Sequence, residues 1–387
     1  MNHIRHFSTL VTRSPSHFLD IVHFEGPKIF VSGFKNPYLN ISMEDFIFQN
    51  MPVSDSDASS KTNNNRLLLY VNSPCVVMGR NQNPWRECNV PLIKSLHIPL
   101  VRRRSGGGTV VHDSGNVNFS VMTRREDFTR QKHAQMIAEA VNELPAKIEK
   151  RITGTDEVEE VSGPQVKLKL NERYDIVEAH ENRKVSGSAY KIQRQKAYHH
   201  GTMLLNSELK ILSSLLSRDV EKMGTIEGRG VESVKSPVSN VGLDKDIFIT
   251  TVINSFIREY GIQTPEVVVI QQEHLPKEII QSSRQIAEYD WVFGQTPDFT
   301  HTLKISGDFN GLSEVELKFT VSKGLLKGIE LDSEADLKEV DPGLAFLNTV
   351  VQNPEQKVCY TSAQILEFVN NFYIRNGIQK ALDGGSP

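Results

Sequence analysis

At 387 residues, with 38% hydrophobic side chains and 25 glycines, the chain has the make-up of a folded protein of two domains. Lysine and arginine number 44 against 47 aspartates and glutamates, a net charge of −3, so no overall positive field exists to gather nucleic-acid phosphates. The three cysteines, Cys75, Cys88 and Cys359, fit neither a disulfide framework nor a four-ligand zinc site, and no uncharged apolar run approaches the roughly 20 residues needed to span a bilayer.

In chain order, the first feature is a stretch with Arg5, Arg13 and hydroxyl residues such as Ser8, Thr9, Thr12 and Ser14, whose first acid is Asp20. That bias is expected of a mitochondrial transit peptide over residues 1–25, against the alternative of an ordinary chain terminus. Met43, Phe46 and Ile47 have helical spacing, with Asn40 or Ser42 as candidate caps. MPVSDSDASSKTNNN (51–65) reads as a surface loop. Leu67–Val71 and Cys75–Met78 read as strands around an Asn72-Ser73-Pro74 turn.

Ala134, Ile137, Ala138, Val141 and Leu144 form one apolar helical face, and TGTDEVEEVSGP (153–164) reads as an acidic, solvated loop. A further helix is expected from near Asp246 to Tyr260, ended by Gly261, before a strand at Val267–Ile270. From about His274 a smaller α+β unit begins. It holds a helix around Glu278–Tyr289, alternation at Val315, Leu317, Phe319 and Val321, a Lys323-Gly324 turn and a helix around Ile365–Phe372, with LDGGSP as a loose tail.

Three stretches carry candidate chemistry. In RRRSGGGTVVHD (102–113), three glycines after an arginine cluster let backbone amides turn toward an anionic oxygen, and Ser105 and Thr109 add hydroxyls. The alternative is a tight turn near surface arginines. Neither GxxxxGK[ST] nor a strand-borne GxGxxG is present, so any nucleotide is held by another device. In RKVSGSAY (183–190), Lys184 offers a compact cation for a carboxylate and a phosphate together, or is an ordinary surface lysine. In YHHGTMLL (198–205), adjacent His199 and His200 face opposite sides of a strand and make a poor chelating pair.

Together, in this order, these stretches resemble the lipoate-protein ligase A family. NPYLNISMED (36–45), GRNQNPWREC (79–88), GVESVKSPVSN (230–240) and YDWVFGQTP (289–297) match further family segments. The resemblance implies an α+β fold: a biotin/lipoate protein ligase catalytic domain of the class II synthetase type, over 26–272, and a small C-terminal α+β accessory domain over 273–387. It implies activation of lipoate or octanoate by MgATP to an acyl-adenylate, then transfer to a lysine of a lipoyl domain. The implied partners are 2-oxoacid dehydrogenase E2 subunits and the glycine cleavage H protein, in the mitochondrial matrix, with no nucleic acid or membrane.

By the family pattern Arg103 contacts the nucleotide. Gly106, Gly107, Gly108, Thr109, Val110 and Val111 line its phosphate pocket, and Lys184 lies between the lipoate carboxyl and the α-phosphate. Asp175 is a candidate for a Mg²⁺ or acceptor-lysine contact, and His112 with Asp113 for shaping the carboxylate end, each against an ordinary structural role. The cysteine nucleophile of the related octanoyltransferases has no counterpart between Cys88 and Cys359, and the GRG at Gly228 is out of place for a biotin-ligase loop. Arg104 and the close spacing of Tyr174-Asp175 to Lys184 resemble the eukaryotic mitochondrial branch, which includes ATP-independent amidotransferases moving lipoyl or octanoyl groups from H protein to E2. Ligase and amidotransferase both stay open at this point.

Overall fold

The computed structural model describes residues 8–53, 63–151, 157–309, 311–332 and 335–383. They form two compact units. The first takes the described residues up to Cys75, Arg103–Leu209 and Val234–Ile286; the second takes Val76–Arg102, Lys210–Ser233 and the described residues from Ala287 onward. The expected division at 272/273 differs from this: residues 273–286 belong to the first unit, and two earlier segments join the second.

The first unit is built on a seven-stranded mixed sheet. Its spatial order is Ser8–Val11, Glu266–Ile270, Lys28–Ser32, Arg66–Tyr70, Asn116–Arg124, Lys196–Leu204, Ser188–Gln193. The first four are parallel and the rest antiparallel. Alternate side chains of a strand face opposite ways. Ile29, Leu67, Leu69, Val117, Phe119 and Val121 therefore join helices Lys132–Asn142 and Lys245–Glu259 in one core. Phe30, Leu68, Tyr70, Met122 and Tyr198 join helices Pro15–His23, Pro37–Asn50 and Lys277–Gln285 in the other.

The expected leader meets this fold directly. Residues 1–7 lie outside the described residues, but Ser8–Val11 pairs with the Glu266–Ile270 strand, and Phe18 and Val22 are fully buried. Residues 8–25 thus belong to the first unit's architecture. Among the described residues no helix is long and apolar enough to cross a membrane.

Several expected elements shift for identifiable reasons. The Pro37–Asn50 helix is capped by Asn36, whose side chain accepts from the Tyr38 and Leu39 amides, while Asn40 is buried in a polar network. The strands Arg66–Tyr70 and Cys75–Met78 are not partners across the Asn72-Ser73-Pro74 turn. The former pairs with Lys28–Ser32 and Asn116–Arg124, the latter with Leu100–Arg102. Part of the acidic loop is a strand, Val158–Ser162, paired with Lys147–Arg151; Lys147 to Glu160 (2.6 Å) helps offset its run of acids. Residues 54–62 and 152–156, inside the two expected loops, lie outside the described residues.

The second unit has a four-stranded antiparallel sheet, Thr225–Gly228, Phe299–Phe309, Leu312–Ser322 and Leu325–Leu331, turned at Lys323 and Gly324 in the left-handed region (φ 49° and 71°). Trp85 draws the early segment in, its ring lying 5.0 Å from Phe293, 5.1 Å from Phe299 and 5.4 Å from Tyr360. The single expected C-terminal helix is two, Ser362–Leu366 and Phe372–Asp383, because Asp341 holds the Asn370 and Asn371 amides and Asn371 caps the second. Leu382, expected in the loose tail, is buried in that helix.

Arg102 is the polar centre of this unit. It is fully buried and donates to the carbonyls of Val292 (2.8 Å), Arg80 (2.7 Å), Gln82 (2.8 Å) and Gly79 (3.3 Å), and to Thr296 Oγ1 (2.9 Å). Burial lowers its pKa to about 10, so it stays charged near neutrality. Arg102→Met strands these acceptors without a donor. It is expected to remove about 3 kcal/mol or more of stability. Denaturant unfolding checks this, and a variant within about 0.5 kcal/mol of the parent would contradict it.

Candidate active site

Arg102 ends its strand, and the chain then enters the glycine-rich loop. Arg103 is 5% exposed and curls back over that loop. Nε donates to Ser105 Oγ (3.0 Å) and the Gly106 carbonyl (3.1 Å), and Nη2 to the carbonyls of Gly106 (2.6 Å) and Gly108 (2.8 Å). Burial lowers its pKa to about 10, so a permanent cation sits beneath the loop. Gly107 has φ +91°, and a Cβ there would stand 2.8 Å from Arg103 Nη2 and 3.1 Å from Ala189 Cβ. Only glycine meets both demands. Gly106 faces open space, and Gly107, Gly108, Thr109 and Val110 are partly exposed, with Val111 buried behind them.

The other two arginines of the cluster serve the scaffold. Arg102 is spent on the carbonyls above, and Arg104 pairs with Asp45 (3.3 Å) and donates to Ser282 Oγ (3.0 Å). Of the cluster, Arg103 alone stays with the glycine loop.

Behind the loop is a relay that sequence reasoning missed. Ser105 Oγ and His200 Nε2 are 2.8 Å apart, and His200 Nδ1 is 3.0 Å from both carboxylate oxygens of Glu44. All three are buried. With Glu44 accepting from Nδ1–H, Nε2 accepts from the Ser105 hydroxyl, leaving that oxygen free to accept from Arg103. Glu44 and His200 lie in the NPYLNISMED and YHHGTMLL stretches, so the signal was present. Nothing in one sequence shows that a helix and a strand 156 residues apart meet. As expected of a strand, His199 faces the other way, with Nε2 3.1 Å from Ser188 Oγ.

Lys184 is fixed by its backbone. Its N–H donates to the Pro237 carbonyl (2.8 Å) and its carbonyl accepts from Ser239 (3.0 Å), while Val185 donates to Ile176 (3.1 Å). Nζ lies 3.0 Å from Asp175 Oδ2, with side chains 21% and 13% exposed. Asp175 is set by the Asn171–Asp175 turn, where Asn171 Oδ1 accepts the Asp175 amide (2.9 Å) and Tyr174 has φ 63°. The turn after Lys184 packs on the glycine loop: a Cβ on Gly187 would lie 2.8 Å from Val110 Cγ1. The structure thus packs Gly187 and Ala189 on the glycine loop over Arg103, and sets Lys184 beside Asp175 just before that segment.

His112 is 3% exposed, and Asn72 Nδ2 donates to its Nδ1 (2.9 Å) at the end of a chain through Asn40 to Ser32. Burial, reinforced by Arg103 and His200, holds its pKa near 3, so it contributes a donor and no charge. Asp113 accepts from the Gly115 amide, Ser207 Oγ and the Glu208 amide, a turn-holding role. Among the described residues, Ser42 Oγ, Asn116 Oδ1, Ser120 Oγ and Ser186 Oγ are buried without a hydrogen-bond partner, and none of these residues is exposed. A buried polar group left unpaired costs about 1–3 kcal/mol.

The buried histidines make stability pH-dependent. His112 and His133 are each lowered from 6.5 to about 3, the largest cause being burial. As pH falls below 6.5 the unfolded chain takes up protons that the folded chain refuses. The stabilisation is complete above that value and is lost between it and about 3, at about 1.4 kcal/mol per pH unit for each histidine. A lower urea midpoint at pH 5.5 than at pH 7.5 is expected; equal midpoints would contradict it.

Among the described residues no group of three or more histidine, cysteine, aspartate or glutamate side chains could hold a metal ion. Cys75 is buried and its thiol is pushed up by burial, which argues against a nucleophilic role.

Comparison with known proteins agrees with this geometry. Residues 36–261 match the family model of the lipoyl protein ligase A/B catalytic domain. A Schizosaccharomyces pombe relative is 33% identical over 369 residues, spanning 90% of this chain and 88% of its own. The lipoate-protein ligase A of Bdellovibrio bacteriovorus is 30% identical over 340 residues, spanning 84% and 90%. The crystal structure of P. falciparum LipL1 in complex with lipoate superposes with a TM-score of 0.55 at 24% identity, covering 92% of this chain and 98% of that one. With a partly exposed glycine loop over Arg103 and a lysine held beside it, the chain belongs to the lipoate-protein ligase A family of enzymes.

Proposed function

We propose that this ligase uses ATP to activate lipoate or octanoate as an acyl-adenylate and passes the acyl group to a lysine of a lipoyl domain. The observation that carries the reading is the Lys184–Asp175 pair at 3.0 Å, in the turn that packs on the glycine loop. Joining a carboxylate to an α-phosphate brings two anions together, and Lys184 Nζ offsets their repulsion. The carboxylate oxygen bonds to the α-phosphorus and pyrophosphate leaves. The acceptor amine then bonds to the acyl carbon, AMP leaves, and the amine gives up a proton. Asp175 Oδ2 is the acceptor for that proton once Lys184 has turned to the phosphate.

The loop amides from Gly106 to Val110 serve the phosphates, and Arg103 beneath them supplies positive potential to the loop rather than a free fork. His112 Nε2–H is a neutral donor at the carboxylate end. During activation Asp175 would hold Mg²⁺ as its single protein carboxylate, and the ion would neutralise phosphate charge; Asp175 takes up the amine proton only in the later transfer. The partners are lipoyl domains of E2 subunits and H protein, and the setting is the mitochondrial matrix. Any leader removed there is cut before Ser8, since Ser8–Val11 is a strand of the sheet.

The test is lipoate-dependent exchange of labelled pyrophosphate into ATP without any acceptor. Exchange is expected; its absence, with lipoate and MgATP saturating, would overturn the adenylate step.

A further inference from the structure

The strands Leu168–Leu170 and Ile176–Glu178 form a hairpin whose turn is held from within. Asn171 Oδ1 accepts the amides of Arg173 and Asp175 (2.9 Å each), the Asn171 amide donates to the Asp175 carbonyl (3.1 Å), and the Tyr174 amide donates to the Asn171 carbonyl (2.9 Å). Closed this way, the turn holds Tyr174 in the left-handed region, at φ 63°. That backbone crowds Cβ, and glycine, asparagine and aspartate meet it at least cost. The next turn of the chain has the cheaper solution, Asn182 at φ 57°. A bulky side chain kept at such a position points to a use for that side chain.

The use is not in the fold of the turn. Tyr174 is 38% exposed, and among the described residues its hydroxyl makes no hydrogen bond and its ring no aromatic or cation contact. Its location is that of the chemistry. Val177 is bridged to Lys184, and the Ile176 carbonyl accepts from Val185. Antiparallel to it, the Lys184 segment then runs on to Gly187, which packs on the glycine loop, so the turn stands at the end of the strand nearest that contact. The residue after Tyr174 is Asp175, whose Oδ2 lies 3.0 Å from Lys184 Nζ. A ring left in water on a turn tip suits a chain that arrives from solvent, beside the carboxylate that takes its proton.

We infer that Tyr174 receives the acceptor lysine. The ring lies along the lysine's methylene stem and attracts its ammonium, which is the form that arrives at neutral pH. Tyr174 makes and breaks no bond; the amine proton goes to Asp175 and AMP leaves as described above. The inference rests on the proposed function for the identity of the acceptor.

With a purified apo lipoyl domain, Tyr174→Asn is expected to raise the acceptor KM about tenfold while pyrophosphate exchange stays at the parent rate. Its urea midpoint is expected to match or exceed the parent's, because asparagine suits φ 63°. Tyr174→Phe, which keeps the ring, is expected to hold KM within twofold. A second measurement isolates the contact: binding of the apo domain is compared with that of the same domain carrying alanine in place of the target lysine. The lysine form is expected to bind the parent more tightly and to lose that advantage in Tyr174→Asn. An unchanged lysine advantage in Tyr174→Asn would overturn the inference, as would a KM within twofold or a Tyr174→Phe variant as impaired as Tyr174→Asn. Loss of pyrophosphate exchange in the parent would instead strike the proposed activation, leaving Tyr174 to be judged by the binding comparison.

Discussion

Lys184→Ala is expected to lower both adenylate formation and acyl transfer at least about 100-fold, the scale seen when one preorganised charge-stabilising donor is removed. Two anions must meet in the first step, and charge returns to the phosphate in the second, so the same cation serves twice. Folding should be little affected. The backbone of Lys184, which ties together the Ile176–Glu178 strand and the segment from Pro237 to Ser239, is unchanged by the substitution. The side chain's own partner, Asp175, is 13% exposed and can take up water. Lys184→Arg keeps the charge but replaces a point donor by a planar fork, and is expected to recover only part of the activity. Single-turnover formation and consumption of acyl-adenylate check both steps; a variant within threefold of the parent in either step would contradict the role.

Glu44→Ala is expected to cost about ten- to a hundredfold in kcat/KM for adenylation, although Glu44 is buried in a helix behind the loop. Without the carboxylate, His200 Nδ1–H has no acceptor, the ring loses its orientation, and the Ser105 hydroxyl loses its partner. Arg103 Nε then bonds to an oxygen that is no longer fixed, and the curve of the loop over the guanidinium loosens. Glu44→Gln keeps an acceptor oxygen and should recover most of the loss. Measuring kcat/KM beside the unfolding midpoint separates this from general destabilisation. An alanine variant as unstable as expected for a lost buried hydrogen bond yet fully active would make the relay structural only.

The parts of this account that could be read from the chain were those whose cause is local. Apolar spacing located the helices over 134–144 and 246–260, because one face of each must be buried whatever lies opposite it. Glycine run, arginine and lysine motifs located the loop and Lys184, because backbone approach to an anion demands those residue types in sequence. What escaped depends on distant partners. Arg102 and Arg103 are neighbours with the same side chain, yet one is consumed by carbonyls of the second unit and the other clasps its own loop. The acidic stretch near Val158 is a strand only because Lys147–Arg151 lies beside it. Asn40 looked like a cap and is instead a buried relay to His112, a role set by Asn72 on a different strand end.

The central claim is that a free carboxylate is activated at the loop under Arg103 and handed on beside Lys184. Its most direct test supplies a purified apo lipoyl domain with MgATP and free lipoate in one reaction, and with lipoylated H protein and no nucleotide in another. Modification of the acceptor lysine is expected in the first reaction, abolished by Lys184→Ala. Modification only in the second would contradict it, keeping the fold and Lys184 but making the enzyme an amidotransferase that moves an already activated acyl group between carriers.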